Sequence, residues 1–294
     1  MEKIKECLIC GSNNLSRELE CIDHTLTKEP FTLEKCSDCG FLFTNPRPEK
    51  DIIGKYYESP DYISHTNSNR GLVNGIYQFV KKYNLIKKLQ LISNYKKSGN
   101  ILDIGCGTGD FLNICKKSKW ITFGIEPNDK ARSFAQKNNG IDVFTEDKLN
   151  EFENNFFDVI TLWHVLEHVS DLNERIITIK RILKKDGILV VAVPNCDSKD
   201  AKIYKQYWAG YDVPRHLYHF TPNTIEKLFN KHNMNVIRVM PMVFDSYYVS
   251  ILSEKYRSGK QKLFKAFING FISNLSAIKS GKTYSSQIFI IKNK

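Results

Sequence analysis

Residues 101–110, which read Ile-Leu-Asp-Ile-Gly-Cys-Gly-Thr-Gly-Asp, decide the fold of this chain. An apolar strand runs into Asp103, and glycines then alternate at Gly105, Gly107 and Gly109. Glycine lets the backbone turn tightly and approach a ligand with no Cβ in the way. A dinucleotide fingerprint reads G-x-G-x-x-G and receives a pyrophosphate at a helix N-terminus. Here a carboxylate precedes the turn, and it favours a ligand with an amino group and a positive charge over a phosphate.

A second acid lies at the end of the next predicted strand. Residues 121–125, Ile-Thr-Phe-Gly-Ile, lead directly into Glu126. An acid roughly 20 residues past the glycines, at a strand tip, commonly binds ribose hydroxyls. The alternative interpretation is a solvated acid in the turn formed with Pro127 and Asn128.

Two further strands complete the predicted nucleotide-binding half, residues 98–196. The stretch Phe-Asp-Val-Ile-Thr-Leu-Trp-His at 157–164 predicts a strand, and a helix is predicted at 171–183. Residues 188–193 form a continuous apolar run, which is typical of a strand buried on both faces of a parallel sheet. Past this half, we predict a strand from Val236 to Met242 and a last one from Gln287 to Ile291.

Composition limits the class of protein. A chain of 294 residues with 41% hydrophobic content holds one full core and a small accessory domain. The sequence has no run of the ~20 apolar residues that span a bilayer and no N-terminal run of signal-peptide type. We therefore expect no transmembrane segment and a cytoplasmic location, where thiols stay reduced. The net charge of +11 could indicate a nucleic-acid partner or an anionic substrate. Because Lys far outnumbers Arg, we attribute it to coding bias and expect no specific nucleic-acid partner.

The N-terminal segment, residues 1–44, carries two pairs of cysteines. Cys7 and Cys10 form the first C-x-x-C pair, Cys36 and Cys39 the second, and a glycine follows each pair. Four thiolates in two such turns suit a closed tetrahedral zinc site. The alternative is four unconnected cysteines. A site with four thiolates leaves no open position for water or substrate, so the predicted zinc is structural.

The remaining segments have distinct predicted roles. Residues 45–97 begin with Asn-Pro-Arg-Pro, and helices near 49–57 and 70–96 predict a helical cap or linker beside the cofactor. Residues 197–222 form a substrate loop within the final segment, 98–294. That segment also contains a basic insertion at 247–280, which the sequence leaves open as a lid, a dimer surface or a contact with a membrane surface.

The whole arrangement resembles the bacterial class I S-adenosylmethionine-dependent methyltransferases that carry an N-terminal zinc ribbon. The resemblance runs from Cys7 to about Leu228 and rests on the motifs "NPRP…YY", "DIGCGTG", "ITLWHVLEHV", "VPN" and "W…PRHLYHF". It implies an α/β, Rossmann-like sheet that is mostly parallel with an antiparallel last strand. Members of this group often methylate sugar or related small-molecule hydroxyls during the synthesis of surface polysaccharides and secondary metabolites.

The resemblance implies Asp103, Gly105, Gly107 and Glu126 for contact with the cofactor, and we predict a wider set of site residues around them. Contacts to S-adenosylmethionine are expected from the glycine-rich turn, the tip of the second strand and the end of the fourth: Asp103, Gly105, Cys106, Gly107, Gly109, Glu126, Pro127, Trp163 and His164. Contacts to the acceptor are expected from Tyr56, Tyr57, Trp208 and Arg215. We interpret Arg215 as a ligand for a phosphate or carboxylate, for example in a nucleotide-linked sugar.

Methyl transfer to a hydroxyl requires a base for the departing proton, and histidine is the natural candidate. His164 ends the fourth strand, at the edge where open α/β sheets bind ligands. His216 and His219 lie on the loop after the fifth strand, at the same edge. We therefore predict that one of these three is catalytic. His168 follows Glu167 at a helix start and is interpreted as structural.

Two rival functions remain open from the sequence. An RNA methyltransferase could use the zinc ribbon and the lysines to bind phosphates, but the chain lacks an Asn-Pro-Pro-Tyr-type base pocket. A non-catalytic zinc-ribbon module could sit on a degenerate nucleotide-binding platform. The intact Asp103, glycines and Glu126 argue against that second interpretation.

Overall fold

A computed structural model describes residues 1–58, 72–280 and 283–294 of the chain. The strands, in chain order, are β1 (Leu15–Ile22), β2 (Pro30–Cys36), β3 (Leu42–Thr44), β4 (Asn100–Ile104), β5 (Ile121–Ile125), β6 (Asp142–Phe144), β7 (Phe157–Trp163), β8 (Leu183–Pro194), β9 (Tyr218–His219), β10 (Met234–Pro241) and β11 (Ser286–Asn293).

Helices connect most of these strands. They are α1 (Leu72–Ser93), α2 (Asp110–Lys117), α3 (Asp129–Asn139), α4 (Lys148–Glu151), α5 (Leu172–Ile182), α6 (Lys199–Tyr204), α7 (Pro222–Lys231), α8 (Asp245–Ser258) and α9 (Leu263–Ser280). Short 3₁₀ turns lie at Ile53–Tyr57, Leu166–His168, Lys205–Tyr207 and Ala209–Tyr211. The first two residues of the helix predicted at 70–96 lie outside the described residues. Within the described ranges, no helix combines the length and apolarity needed to cross a lipid bilayer.

The central sheet has seven strands in the order β10-β11-β8-β7-β4-β5-β6. Strands β6, β5, β4, β7 and β8 pair in parallel. The last strand, β11, runs antiparallel to both of its neighbours. The predicted α/β fold, with a mostly parallel sheet and an antiparallel last strand, is confirmed. Because the chain leaves β4 first toward β5 and later returns beside it as β7, a crevice opens at the carboxyl ends of β4 and β7.

Helices cover both faces of this sheet, which explains the continuous apolar run in β8. Residues 188–193 are almost fully buried. One face packs against α5 and α7, through Ile176 and Leu228 among others. The other face packs against α2 and the C-terminal end of α1, through Leu112 and Ile92. This rigid frame fixes the positions of the strand ends, where the polar residues lie.

A smaller sheet combines the N-terminal segment with the loop that follows β8. Its strands lie in the order β1-β2-β3-β9, all antiparallel. Strand β9 pairs with β3 by aligning Tyr218 with Phe43 and His219 with Leu42. In the sequence these two segments read as separate units. The pairing instead fixes the histidine-containing loop to the cysteine-containing segment.

Candidate active site

The glycine-rich turn after β4 forms the base of the crevice. The backbone φ of Gly105 is +72°, and a Cβ there would lie 2.4 Å from Cγ2 of Val165. Gly107 also has a positive φ, +54°, but no atom lies within 4 Å of the position its Cβ would take. Residues with side chains rarely adopt this backbone conformation. The turn therefore needs Gly105 for packing, while Gly107 leaves open space for a ligand.

Glu126 lies directly above this turn and is fixed by two backbone groups. Its Oε2 accepts a hydrogen bond from the Gly107 N–H at 2.9 Å, and its Oε1 accepts one from the Asn128 N–H at 2.8 Å. The side chain is buried, and burial raises its pKa although both N–H groups oppose the rise. A carboxylate fixed in this way keeps its remaining lone pairs available to a pair of vicinal hydroxyls.

Asp103 is a buried acid at the end of β4. Its Oδ1 accepts a hydrogen bond from the Thr161 hydroxyl of β7 at 2.5 Å. Burial raises the pKa of Asp103 to about 7, against the lowering effects of this bond and of the Lys88 ammonium. A cationic ligand beside this carboxylate would hold it in its charged form.

Lys88, on α1, brings a positive charge into the same crevice. Its Nζ lies 4.2 Å from the centroid of the Trp163 ring. Burial lowers the pKa of Lys88, and the charges of Asp103 and Asp245 oppose that effect. The crevice therefore offers a carboxylate and an ammonium group, one for each charged end of a zwitterionic ligand. Lys88 was not among the predicted site residues, because one lysine among many on an amphipathic helix carries no distinguishing signal.

The other predicted cofactor residues lie around the same strand ends. Cys106 is buried, and Gly109 is the N-cap of α2, with a φ of +75°. Trp163 ends β7 half-buried, with its ring edge-on to Phe111. Pro127 lies exposed in the turn after β5. The structure thus brings the predicted cofactor residues to one edge of the sheet.

His164 lies between two carboxylates. Its Nε2 is 3.2 Å from Oδ2 of Asp245, and its Nδ1 is 3.5 Å from Oε1 of Glu167. Burial alone would lower its pKa, but the two carboxylates raise the pKa to about 10. His164 is therefore an imidazolium near neutral pH and is poorly suited to accept a proton. Asp245, at the first turn of α8, was not among the predicted site residues.

Glu167, His168 and His216 form a cluster beside His164. One nitrogen of each ring and one oxygen of the carboxylate all lie within 4.8 Å of one another. Glu167 is fully buried, and within the described part of the chain neither of its side-chain oxygens has a hydrogen-bond partner. Burial alone would raise the pKa of Glu167, but the neighbouring imidazoles lower it. A charged, buried carboxylate is thus aimed at two imidazole rings.

The hydrogen bonds of the two rings decide which nitrogen can react. Nδ1 of His168 donates to the Arg215 carbonyl at 3.0 Å, and the Tyr57 hydroxyl lies 2.9 Å from the same nitrogen. Nδ1 of His216 donates to the Gly210 carbonyl at 2.9 Å. A neutral imidazole has one N–H, so both rings keep an Nε2 lone pair. Burial and the nearby His216 lower the pKa of His168 to about 4, so His168 is neutral.

This cluster can accept a proton, because the carboxylate stabilises an adjacent imidazolium. The same set, two imidazoles and one carboxylate, can also hold a borderline divalent cation and leave positions open. Glu167 was not among the predicted site residues, and His168 was interpreted as structural. The spacing in His-x-x-Glu-His, residues 164–168, places three polar groups within one turn and was the available signal.

Four other predicted residues, Arg215, His219, Trp208 and Tyr56, make contacts within the protein. Arg215 is buried and donates to the carboxylates of Asp23 and Asp212 and to the Tyr56 carbonyl. His219 is buried, its Nε2 is 3.2 Å from the Thr44 hydroxyl, and burial holds its pKa well below the usual value.

Trp208 is also buried, and its Nε1 donates to Asp200 at 2.8 Å. The hydroxyl of Tyr56 donates to Glu29 in the N-terminal segment. These contacts connect the loop after β8 to its neighbours. They favour structural roles for Trp208, Arg215 and His219. Trp208 and Arg215 were predicted to bind the acceptor, and His219 was predicted to accept its proton. Tyr57, in contrast, does reach the Glu167 cluster.

The four paired cysteines converge at the N-terminal end of the small sheet. Their sulfur atoms all lie within 4.8 Å of one another, with Sγ of Cys7 3.4 Å from that of Cys39 and Sγ of Cys10 3.5 Å from that of Cys36. Backbone N–H groups face these sulfurs within each turn. Such donors stabilise thiolates, and four converging thiolates fit a tetrahedral metal ion.

Comparisons with known proteins agree with this geometry. The family model described as a methyltransferase domain matches residues 77–239. A ubiquinone biosynthesis O-methyltransferase from Rickettsia prowazekii is 26% identical over 216 residues, which cover 66% of this chain and 82% of that protein. An uncharacterised protein from Methanocaldococcus jannaschii is 31% identical over 192 residues, covering 63% of this chain and 78% of that one.

Solved structures support the fold. The magnesium protoporphyrin IX methyltransferase of Synechocystis, solved with bound S-adenosylhomocysteine, aligns with a TM-score of 0.54 at 14% identity, covering 84% of this chain and all of that one. A phosphoethanolamine N-methyltransferase from Haemonchus contortus aligns with a TM-score of 0.53 at 18% identity, covering 86% and 63%. With the matched family model, the strand order and the acid–glycine turn, the chain belongs to the methyltransferase-domain family and is an S-adenosylmethionine-dependent methyltransferase.

Proposed function

We propose that this enzyme transfers a methyl group from S-adenosylmethionine to a hydroxyl of a small-molecule acceptor. The observation that carries the proposal is the cluster of the buried Glu167 with His168 and His216, which lies beside His164 at the same sheet edge as Asp103 and Glu126. A proton-accepting group is therefore available next to the cofactor crevice. The names of the ubiquinone O-methyltransferases point to the same type of reaction.

The crevice residues suggest how the cofactor is held. Glu126 would accept the ribose hydroxyls, since its carboxylate is already fixed by two backbone N–H groups. The amino-acid portion carries one ammonium and one carboxylate. Asp103 and Lys88 offer the matching charges within the same crevice. Gly107 would allow the cofactor to approach the backbone closely.

The chemistry needs alignment and one proton transfer. The acceptor oxygen attacks the methyl carbon in line with the carbon–sulfur bond, so a C–O bond forms as the C–S bond breaks. Bound S-adenosylmethionine would supply the methyl group and would leave as S-adenosylhomocysteine. The hydroxyl proton passes to Nε2 of His216, and the Glu167 carboxylate stabilises the resulting imidazolium. His164, already charged, keeps Glu167 and Asp245 in place.

For the acceptor class we rely on the resemblance, since members of that group often methylate sugar or related small-molecule hydroxyls. The test is a screen of free and nucleotide-linked sugars, phenols and amines with isotope-labelled S-adenosylmethionine. The proposal expects label in an ether that survives mild base. Label only in amines would contradict it. Label in bulk RNA, with tight binding at physiological salt, would support an RNA-modifying function instead, and no cofactor binding would support the non-catalytic module.

We also propose that the four cysteines bind one structural zinc ion, and this leads to the first prediction. Cys39→Ser should release the metal and lower thermal stability, because metal binding contributes directly to the folding of such a small module. Metal analysis of protein purified without chelator should find about one zinc per chain in the wild type. Cys21→Ala is the matched control, since Cys21 is a buried thiol of the same module outside the site. Wild-type protein without zinc would contradict the proposal.

The second prediction concerns pH. With its pKa raised to about 7, Asp103 is protonated in the free enzyme below that value, and a protonated carboxyl cannot balance a cationic ligand. The affinity for S-adenosylmethionine should therefore fall by up to about tenfold per pH unit below pH 7 and level off above it. Calorimetry between pH 5.5 and 8.5 measures this. Asp103→Asn should bind weakly at every pH, with a flatter profile. Equal wild-type affinity across the range would contradict the assignment.

A further inference from the structure

The outer face of α9 consists of large apolar side chains exposed to solvent. We call it the α9 face; its main residues are Leu263, Phe264, Phe267, Phe271, Leu275 and Ile278. The relative exposure of Phe264 is 81%, and that of Ile278 is 66%. Contiguous apolar patches of this kind are rare on proteins that have no partner there, and they mark sites of interaction with proteins or membranes.

The packing of α9 is the reverse of that of an ordinary surface helix. Its buried residues are small: Ala266, Gly270, Ser273 and Ala277. A Cβ at Gly270 would lie 2.9 Å from Cδ1 of Tyr247, so α9 packs closely against α8. A surface helix normally buries its large apolar residues and exposes polar ones. The sequence of α9 is therefore arranged to present its large apolar residues outward.

The apolar surface is too broad to be a seam for one partner helix. At 100° per residue, the exposed apolar positions cover about half of the helix circumference, while a coiled-coil seam uses a narrower stripe. The surface continues beyond α9 to the exposed Val243 and Phe244, because Asn274 donates a hydrogen bond to the Val243 carbonyl at 2.9 Å. The Tyr83 ring meets the Phe244 ring edge-on.

Charge indicates what covers this surface. Residues 255–294 contain nine lysines and arginines and no aspartate or glutamate. Lys260, Lys262 and Lys265 lie at the start of the α9 face, and Lys279 lies at its end. Phenylalanine, leucine and isoleucine on one side, with lysines at the margins, are the pattern of a helix that lies in the interface of an anionic bilayer. Two copies of this chain would instead bring these lysines together.

We propose that the α9 face docks on the surface of an anionic lipid bilayer, with α9 lying in the plane of the headgroups. This docking does not depend on the identity of the acceptor. It has a consequence for access, because Phe244 on the docked surface directly precedes Asp245, whose carboxylate is 3.2 Å from His164. The mouth of the crevice lies beside the bilayer, where an amphipathic acceptor could present its polar end to the Glu167 cluster.

Vesicle flotation tests the docking with the full-length protein, and this is the third prediction. Wild-type protein should float with vesicles of phosphatidylglycerol and phosphatidylcholine, much less with phosphatidylcholine alone, and less as salt increases. Phe264→Glu combined with Ile278→Glu should weaken binding at least about tenfold, since two charges would enter the apolar layer. Ile177→Glu is the matched control, because Ile177 is 49% exposed on the separate helix α5.

Two further measurements make the outcome decisive. Thermal unfolding and calorimetry with S-adenosylhomocysteine should give wild-type values for both the double variant and the Ile177→Glu control. These measurements separate loss of docking from loss of folding or of cofactor binding. Failure of the wild type to float, or flotation of the double variant at wild-type levels, would overturn the proposal. So would a dimer in light scattering that the double variant abolishes, since the α9 face would then be covered by a second copy.

Discussion

Glu126→Ala is expected to bind S-adenosylmethionine roughly 10²–10⁴-fold more weakly than the wild type, since hydrogen bonds to a charged group contribute about 1.5–3 kcal/mol each. The substitution removes the carboxylate that faces the crevice. It also leaves the N–H groups of Gly107 and Asn128 without the carboxylate oxygens to which they donate hydrogen bonds. Both effects act on the cofactor site. Isothermal titration calorimetry at pH 8, where Asp103 is ionised, measures the loss without interference from Asp103.

A matched variant separates the two effects. Glu126→Gln keeps an oxygen that can accept from one N–H but replaces the other with an amide that cannot. It should lose part of the affinity and keep most of the thermal stability. Glu151→Ala is the surface control, because Glu151 lies on the separate helix α4 and pairs with Lys148 at the surface. If Glu126→Ala binds the cofactor as tightly as the wild type, the assignment of this crevice is wrong.

The central sheet was predictable because its signals are local. The run from Ile188 to Val193 is apolar throughout, and such a run is stable only with both faces covered. The acid–glycine turn likewise encodes its own geometry, since Gly105 has no room for a side chain. For the same reason, the sequence alone is sufficient to place Asp103 and Glu126 at one edge of the sheet.

The contacts of the loop after β8 could not be predicted from the sequence, because they are long-range. Arg215 and His219 look like ligand-binding residues when read along the sequence, but their partners are Asp23 and Thr44, in the N-terminal segment. No periodicity in the sequence reports a pairing between strands so far apart. Asp245 joined the site for a similar reason, through the packing of α8 beside the crevice.

His216→Ala is expected to lower turnover by roughly 10²–10⁴-fold while leaving the affinity for S-adenosylmethionine nearly unchanged, because positioned bases contribute to the rate in this range. The three histidines predicted as bases now differ in a measurable way. His164 is charged near neutral pH, with its pKa raised to about 10 by two carboxylates. Burial holds the pKa of His219 far below neutrality, beside Thr44. His216 instead lies in the cluster with the buried Glu167, and its Nδ1 donates to the Gly210 carbonyl.

Glu167→Gln provides the decisive comparison, because it preserves the size of the side chain and removes the charge that stabilises a protonated His216. It should also slow turnover, because no adjacent negative charge would then stabilise the imidazolium that forms when His216 accepts the proton. His232→Ala is the control, because the His232 ring makes a hydrogen bond to Asn173 away from this cluster; this variant should behave as the wild type. Normal turnover of His216→Ala would remove the proton-transfer role. Activity lost in chelator and restored by a divalent cation, at unchanged zinc content, would show that the same three side chains hold a metal that activates the hydroxyl.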